Sequence, residues 1–242
     1  MPTHPADFAD RTVVLTGGTG ALGLGVASEL LDRGARLAIP VFDTSELDRF
    51  PHAADDRVSI REGVDLTDER AVESFYQSVD GPLWASIHIA GGFDMGPLAD
   101  FDGDRFDKLM RLNARTCYLC CRAAALAIRR AGPGQGGGRI VNVAARNAVF
   151  PELGGGLAAY AASKAAVAAL SQALGAELAG DGIWVNAVAP STIDTLANRS
   201  AMPDADHDAW PTPAEIARTI AFLASPMNET TRSAVVPVYG RS

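Results

Sequence analysis

The sequence predicts an α/β fold: a single doubly wound domain whose seven-stranded parallel sheet is flanked by helices. Two observations carry this expectation. Short apolar, β-branched runs alternate with longer segments of helical period, the pattern of strands joined by helical crossovers. A glycine-rich loop, Thr16-Gly-Gly-Thr-Gly-Ala-Leu-Gly23, stands between the first run and the first helical segment. In such sheets this is the place where backbone meets phosphate.

The strands expected in order are 12–16, 36–41, 57–60, 83–89, 139–143, 183–188 and 234–238. Helices are expected near 22–33, 67–79, 104–130, 158–179 and 213–224. In the fourth helix Leu170, Leu174 and Leu178 recur at a spacing of four, as a core-facing stripe does. Gly132–Gly138 reads as a flexible turn between a helix and a strand. There is no interior linker and no repeat, so residues 1–242 are expected to form one domain.

Composition narrows the class. The chain has 242 residues, 48% of them hydrophobic, enough for a substantial core. Lysine and arginine number 21 against 29 acids, a net charge of −8, which argues against a nucleic-acid surface. No apolar run approaches the ~20 residues that span a bilayer. The start, Met1-Pro-Thr-His-Pro-Ala-Asp, lacks the basic-then-apolar order of a signal peptide. A soluble, cytoplasmic protein with no membrane partner is expected. The three cysteines, Cys117, Cys120 and Cys121, fall on one helix. They read as core packing, because a zinc site needs a second ligand pair and none appears at plausible spacing. No metal is expected.

Two stretches carry chemistry. In Thr16–Gly23 small residues let the backbone turn tightly and approach a pyrophosphate, while the following helix N-terminus points free N–H groups at the anion. In Tyr160-Ala-Ala-Ser-Lys164 a phenol lies one helical turn from an ammonium, on the same face. A free tyrosine titrates near 10, and a nearby cation favours its phenolate. Bringing it to about 7 needs roughly 4 kcal/mol, more than a lysine supplies alone but within reach with an oxidised nicotinamide ring beside it.

With these motifs the chain resembles the short-chain dehydrogenase/reductase family over nearly its whole length. The resemblance implies a Rossmann fold, an NAD(P) cofactor and a small-molecule substrate. The family's phosphate loop maps to Gly17, Thr19, Gly20, Ala21, Leu22 and Gly23, with Ala21 in place of a glycine. Its catalytic tyrosine and lysine map to Tyr160 and Lys164, and its asparagine, holding a water in a proton relay, to Asn113. The adenine contact maps to Asp65 and Leu66. The Asn-Ala-Gly after the fourth strand survives as Ile89-Ala90-Gly91, followed by Gly92. The segment after the sixth strand reads Pro190-Ser191, then Ile193 and Thr195, which in relatives touch the carboxamide side of the nicotinamide.

One departure stands out. Relatives end the fifth strand with two serines, the second donating to the substrate carbonyl, and Ala145 stands there in this chain. Losing such a donor costs ~10²–10³ in rate, tolerable when the substrate is already electrophilic. The alternative, that Asn147 or Ser163 supplies the missing donor, is disfavoured because Asn147 lies past the strand end and Ser163 sits three positions after Tyr160. A narrower resemblance, to quinonoid dihydropteridine reductases, fits the missing serine. It rests on Gly20-Ala-Leu-Gly23, Ala90-Gly-Gly-Phe93, Gly155-Gly-Leu, and above all Asp194-Thr195…Asn198-Arg199…Met202-Pro203…Ala205-Asp206…Trp210. Asn113 and the absent second-strand acid depart from that subgroup.

Cofactor choice turns on the end of the second strand, where an acid binds the ribose of NAD and an arginine favours NADP. Val41 occupies the acid's position, with Asp43 two residues on and no basic residue from Val41 to Leu47. NAD is favoured over NADP, although Asp43 suits capping of the next turn equally well. Residues 191–212 form a loop long enough to be functional, expected to close over the substrate with Met202 and Trp210 excluding water. Phe93 is expected to line the pocket, and His207 to be a solvated loop residue. By analogy with relatives a homo-oligomer is expected, a dimer or tetramer, packed through Cys117–Cys121 and Ala158–Ala169.

Overall fold

β1 (Thr12–Thr16) is four-fifths buried and so apolar on both faces, as a central parallel strand must be. Around it a computed structural model, describing residues 6–132 and 137–242, builds one parallel sheet in the order β3-β2-β1-β4-β5-β6-β7. The other strands are β2 (Arg36–Val41), β3 (Val58–Glu62), β4 (Leu83–His88), β5 (Gly138–Val143), β6 (Ile183–Pro190) and β7 (Val235–Val238). Winding reverses between β1 and β4, which pair from Thr12↔Leu83 to Thr16↔His88. A crevice therefore opens beyond their carboxyl ends.

Helices cover both faces. Val13 and Leu15 point to a core layer shared with α1 (Ala21–Asp32) and α8 (Pro213–Ala224), where Val26, Leu30, Ile216 and Ile220 are fully buried. Val14 points the other way, to a layer with α2 (Glu69–Gln77) and the cysteine-bearing helix α4 (Thr116–Arg130). α8 begins with a capping box: Thr212 and Glu215 satisfy each other's backbone N–H groups, and Pro213 takes the first turn.

Three expectations change. The helix expected over 104–130 is broken: α3 (Gly103–Met110) passes into a π turn, Arg111–Arg115, before α4. Thr116 Oγ1 donates to the Arg111 carbonyl at 3.0 Å. The leucine stripe holds only towards its end, where Leu178 is buried and Leu174 packs against the core. The buried face of α6 (Ala158–Glu177) itself runs through Ala161, Ser163, Lys164, Val167, Ala168, Ser171 and Gly175, mostly small side chains because the helix packs close; no Cβ fits at Gly175 beneath Ser233. The loop after β6 holds a short helix, α7 (Leu196–Ala201), capped by Thr195. Another short helix, α5 (Arg146–Val149), follows β5. The chain start Met1–Pro5 and most of the Gly132–Gly138 turn lie outside the described residues. No helix among the described residues is long and apolar enough to cross a membrane.

Candidate active site

The crevice holds a cavity of about 570 Å³. The loop residues Gly17, Thr19, Gly20, Ala21, Leu22 and Gly23 form its floor; Asp43, Asp65, Leu66, Ala90 and Gly91 line its sides. Gly17 has φ +67°, and a Cβ there would stand 2.7 Å from Ala90 N; a Cβ on Gly23 would overlap the Gly17 carbonyl. The turn is thus open only to glycine at both ends. Gly20 caps α1 without any side-chain hydrogen bond, which leaves the first amides of the helix for an anion. The length of the cleft and the free amides at one end suit an extended, phosphate-bearing ligand.

Around Gly91 the catalytic candidates converge. A Cβ there would meet Asn113 Oδ1 at 2.5 Å and Lys164 Nζ at 3.5 Å. Asn113, carried by the π turn, accepts from Gly92 N (2.9 Å) and donates to Gly92 O (3.0 Å) and Ser163 Oγ (2.9 Å). Ser163 in turn donates to the Tyr160 carbonyl at 2.8 Å. The asparagine side chain is therefore a clamp between helix and loop. Ser163, spent on Asn113 and Tyr160, is not a spare donor for substrate, which removes it as an alternative to the missing serine. Asn147, on α5, lies against Gly154. Ala145 caps α5 in extended conformation and is buried.

Tyr160 and Lys164 sit one turn apart on α6, the phenol edge-on to Phe93 at 5.0 Å between ring centroids. Lys164 Nζ donates to the carbonyl of Val143, at the end of β5, at 2.8 Å. Burial pushes the tyrosine up to about 12 and the lysine down to about 8. For the tyrosine the cause is desolvation, in line with the expectation that Lys164 alone does not bring the phenol down.

An ionised, buried Lys164 costs stability. Its folded value near 8 lies below the unfolded 10.5, a penalty of roughly 3 kcal/mol that is fully present below pH ~8 and relieved as pH rises toward 10.5. Lys164→Met also takes the donor from the Val143 carbonyl, which offsets about 1–2 kcal/mol of the relief, so it is expected to raise the melting temperature of the protein at pH 7 by roughly 5 °C, and by less at pH 10. Calorimetry showing an unchanged or lower value at pH 7 would contradict this.

Other candidates are placed less directly. Asp43 Oδ1 caps the turn Thr44–Arg49 by accepting from Ser45 N and Oγ, so the capping role is realised. The residue that sequence reasoning missed is Glu46: its carboxylate accepts from the Thr19 hydroxyl inside the cavity. Nothing in the local sequence marks it, since a long-range turn brings it there. Lys108 and Arg111 line the cavity as well. Pro190 ends β6; Ser191 Oγ donates to the Tyr239 carbonyl (2.9 Å), Ile193 packs on the core and Thr195 Oγ1 accepts from Asn198 N. Met202 is exposed. Trp210 is buried against His207, with ring centroids 4.7 Å apart, and lines a different cavity with Asp194 and Gly240, so it anchors the loop and does not line the dinucleotide cleft. His207 Nε2 pairs with the Met202 carbonyl. The cysteines face this chain's own core and offer no surface to a partner.

Residues 11–206 match the sequence model of the family described as short chain dehydrogenase. The chain belongs to that family. Its members are NAD(P)-dependent oxidoreductases of small molecules, and the architecture above is theirs. 2-(R)-hydroxypropyl-CoM dehydrogenase of Xanthobacter autotrophicus is 32% identical over 197 residues, covering 76% of this chain and 75% of that one. Galactitol 2-dehydrogenase (L-tagatose-forming) of Cereibacter sphaeroides is 28% identical, covering 93% and 92%. The crystal structure of levodione reductase superposes with a TM-score of 0.86 at 26% identity, covering 96% of this short chain dehydrogenase and 97% of that chain. ElxO, solved with NADP bound, gives 0.85 at 24% identity over 95% and 97%.

Proposed function

We propose that this short chain dehydrogenase transfers hydride between nicotinamide and a small, activated carbonyl or quinonoid substrate, working in the reductive direction. The observation that carries the activated-substrate reading is Ala145. It stands where the family resemblance places a carbonyl-binding serine, and the Ser163 hydroxyl on α6 is committed to Asn113 and the Tyr160 carbonyl.

The bound dinucleotide supplies or accepts the hydride; the chain supplies position, charge and a proton. Gly17–Gly23 and the α1 amides hold the pyrophosphate. Asp65 and Leu66 flank the adenine, and Pro190–Thr195 meets the carboxamide side. Lys164, fixed by the Val143 carbonyl, binds the nicotinamide ribose and lowers the cost of proton release from Tyr160. Tyr160, protonated at neutral pH, gives its proton to the substrate oxygen as hydride arrives. Asn113 keeps Gly92 and α6 in register and, through its backbone, supports a water relay. Residues 191–212, with exposed Met202, close over the substrate beside Phe93. We place the protein in the cytoplasm as a homo-oligomer.

A screen of acceptors tests this. Quinonoid dihydropteridines and other activated carbonyls are expected to turn over at least about 10² faster than simple ketones, the value of one missing oxyanion donor. Equal kcat/KM on both classes would favour the second reading, an ordinary ketone/alcohol dehydrogenase, which the name of the Cereibacter relative supports.

NAD is the proposed cofactor. Asp43 and Glu46 both line the cavity beside β2, and no lysine or arginine occurs between Val41 and Leu47. A 2′-phosphate there would face two carboxylates. Glu46→Gln is expected to shift the ratio of NADPH to NADH affinity upward by about tenfold, or about 1.4 kcal/mol, read by fluorescence titration. No shift in that ratio would remove Glu46 from the specificity argument.

A further inference from the structure

Between α4 and strands β4 and β5, four donor atoms converge in the core. His88 ends β4, Asn142 lies in β5, and Cys117 and Cys121 lie one turn apart on α4; all four are buried. The two Sγ atoms are 3.9 Å apart, and Cys121 Sγ lies 3.6 Å from His88 Nδ1 and 3.5 Å from Asn142 Oδ1. The donor atoms of His88, Cys117 and Cys121 all fall within 4.8 Å of one another. A tetrahedral zinc ion with ordinary bond lengths has S···S edges of about 3.8 Å and S···N edges of about 3.5 Å. Three of these separations, all involving Cys121 Sγ, already match edges of that polyhedron.

We propose that Cys117, Cys121 and His88, with Asn142 Oδ1 as fourth ligand, form a closed, structural zinc site. The chemistry suits the place. Two thiolates and one divalent cation, with a neutral imidazole and a neutral amide, sum to zero charge, so the loaded centre buries no net charge. Thiolate and imidazole are the donors zinc prefers.

The surrounding hydrogen bonds hold the ligands as outer-sphere partners do. His88 Nε2 lies 2.8 Å from Ser86 Oγ and 3.1 Å from Tyr76 OH. Asn142 Nδ2 donates to Ser171 Oγ at 2.9 Å. Ser171 itself donates to the Val167 carbonyl, so it can only accept from Asn142, which fixes the amide oxygen toward His88 and Cys121.

Proton accounting closes. Without metal, that oxygen accepts from His88 Nδ1–H (2.8 Å) and from the Cys121 thiol. Loading releases both thiol protons to solvent and moves the imidazole proton from Nδ1 to Nε2, where the hydroxyl of Ser86 or Tyr76 turns to accept it. No oxidant or reductant is required. Loading requires His88 Nδ1 and Asn142 Oδ1 to separate by about half an ångström to span a metal edge, and Cys117 Sγ, held within 4.8 Å of the imidazole donor atom, to settle at about 3.5 Å from it. The bound ion would tie α4 to β4 and β5, directly beneath the π turn that carries Asn113. Burial on all sides implies loading during folding.

The full chain, produced in zinc-supplemented cells, is expected to carry close to one zinc per molecule by elemental analysis. Refolded with cobalt(II), it should show thiolate-to-cobalt charge-transfer and tetrahedral d–d bands. These should vanish in Cys117→Ala and Cys121→Ala and persist in Cys120→Ala, whose thiol lies on the same helix outside the cluster. Zinc content no higher than in the Cys117→Ala/Cys121→Ala double variant, or a natively refolded chain without cobalt bands, would overturn the site. Should the variants misfold, a mercurial reagent added to the wild-type protein decides: release of zinc to a chromogenic chelator supports thiolate ligation, and no release refutes it.

Discussion

Replacing Tyr160 with phenylalanine is expected to lower kcat by about 10²–10⁴, the usual share of a positioned proton donor, while dinucleotide affinity stays nearly unchanged. Phenylalanine keeps the ring and so keeps the edge-on contact with Phe93; only the hydroxyl disappears. The pH dependence should follow from two buried groups whose values burial moves in opposite directions, the tyrosine up to about 12 and the lysine down to about 8. In the reductive direction the phenol must be protonated and the ammonium charged. Both hold near neutrality, so kcat/KM should be flat from about pH 6 to pH 7 and fall on the alkaline side only. The falling limb belongs to the coupled pair and not to either residue alone. A limb that falls below pH 7 would mean another group donates the proton. A variant with full turnover would remove Tyr160 from the chemistry. Absence of any turnover in the wild-type chain would leave a dinucleotide sensor.

Asn113→Ala is expected to cost about 3 kcal/mol of stability. The side chain makes three hydrogen bonds in a buried position. Removal leaves both backbone groups of Gly92 and the Ser163 hydroxyl short of partners, and each such group costs about 1–3 kcal/mol when water cannot reach it. The void admits some water, which holds the sum below the simple total. For a chain of this size the melting temperature should drop by roughly 6–12 °C. Because the same side chain holds Gly92 beside Gly91 and Lys164, kcat should fall as well. A variant with wild-type stability and reduced turnover would show that Asn113 serves the relay and not the clamp.

Much of the architecture was legible in the chain itself. Alternation of β-branched runs and helical segments reports a sheet buried on both faces, and Thr16–Gly23 reports where it turns toward a phosphate, since both depend on local periodicity and on glycine's conformational range. The spacing of Tyr160 and Lys164 likewise carried over intact, because a helix fixes which residues share a face. The break in the long helix at Arg111–Arg115 was invisible, for π turns carry no compositional signature and depend on what packs against them.

Tertiary structure alone decided the rest. It brought Glu46 onto Thr19 across 27 residues, turned Asp43 to its own cap, and spent Ser163 on Asn113 across 50. It also drew His88 and Asn142, from two different strands, to the pair of thiols whose missing partners had argued against a metal. Sequence determines what a segment is by short-range sterics and polarity. Which side chain ends beside which is set by how the segments pack, and that is where the donors, the clamp and the ionisation of Tyr160 were decided.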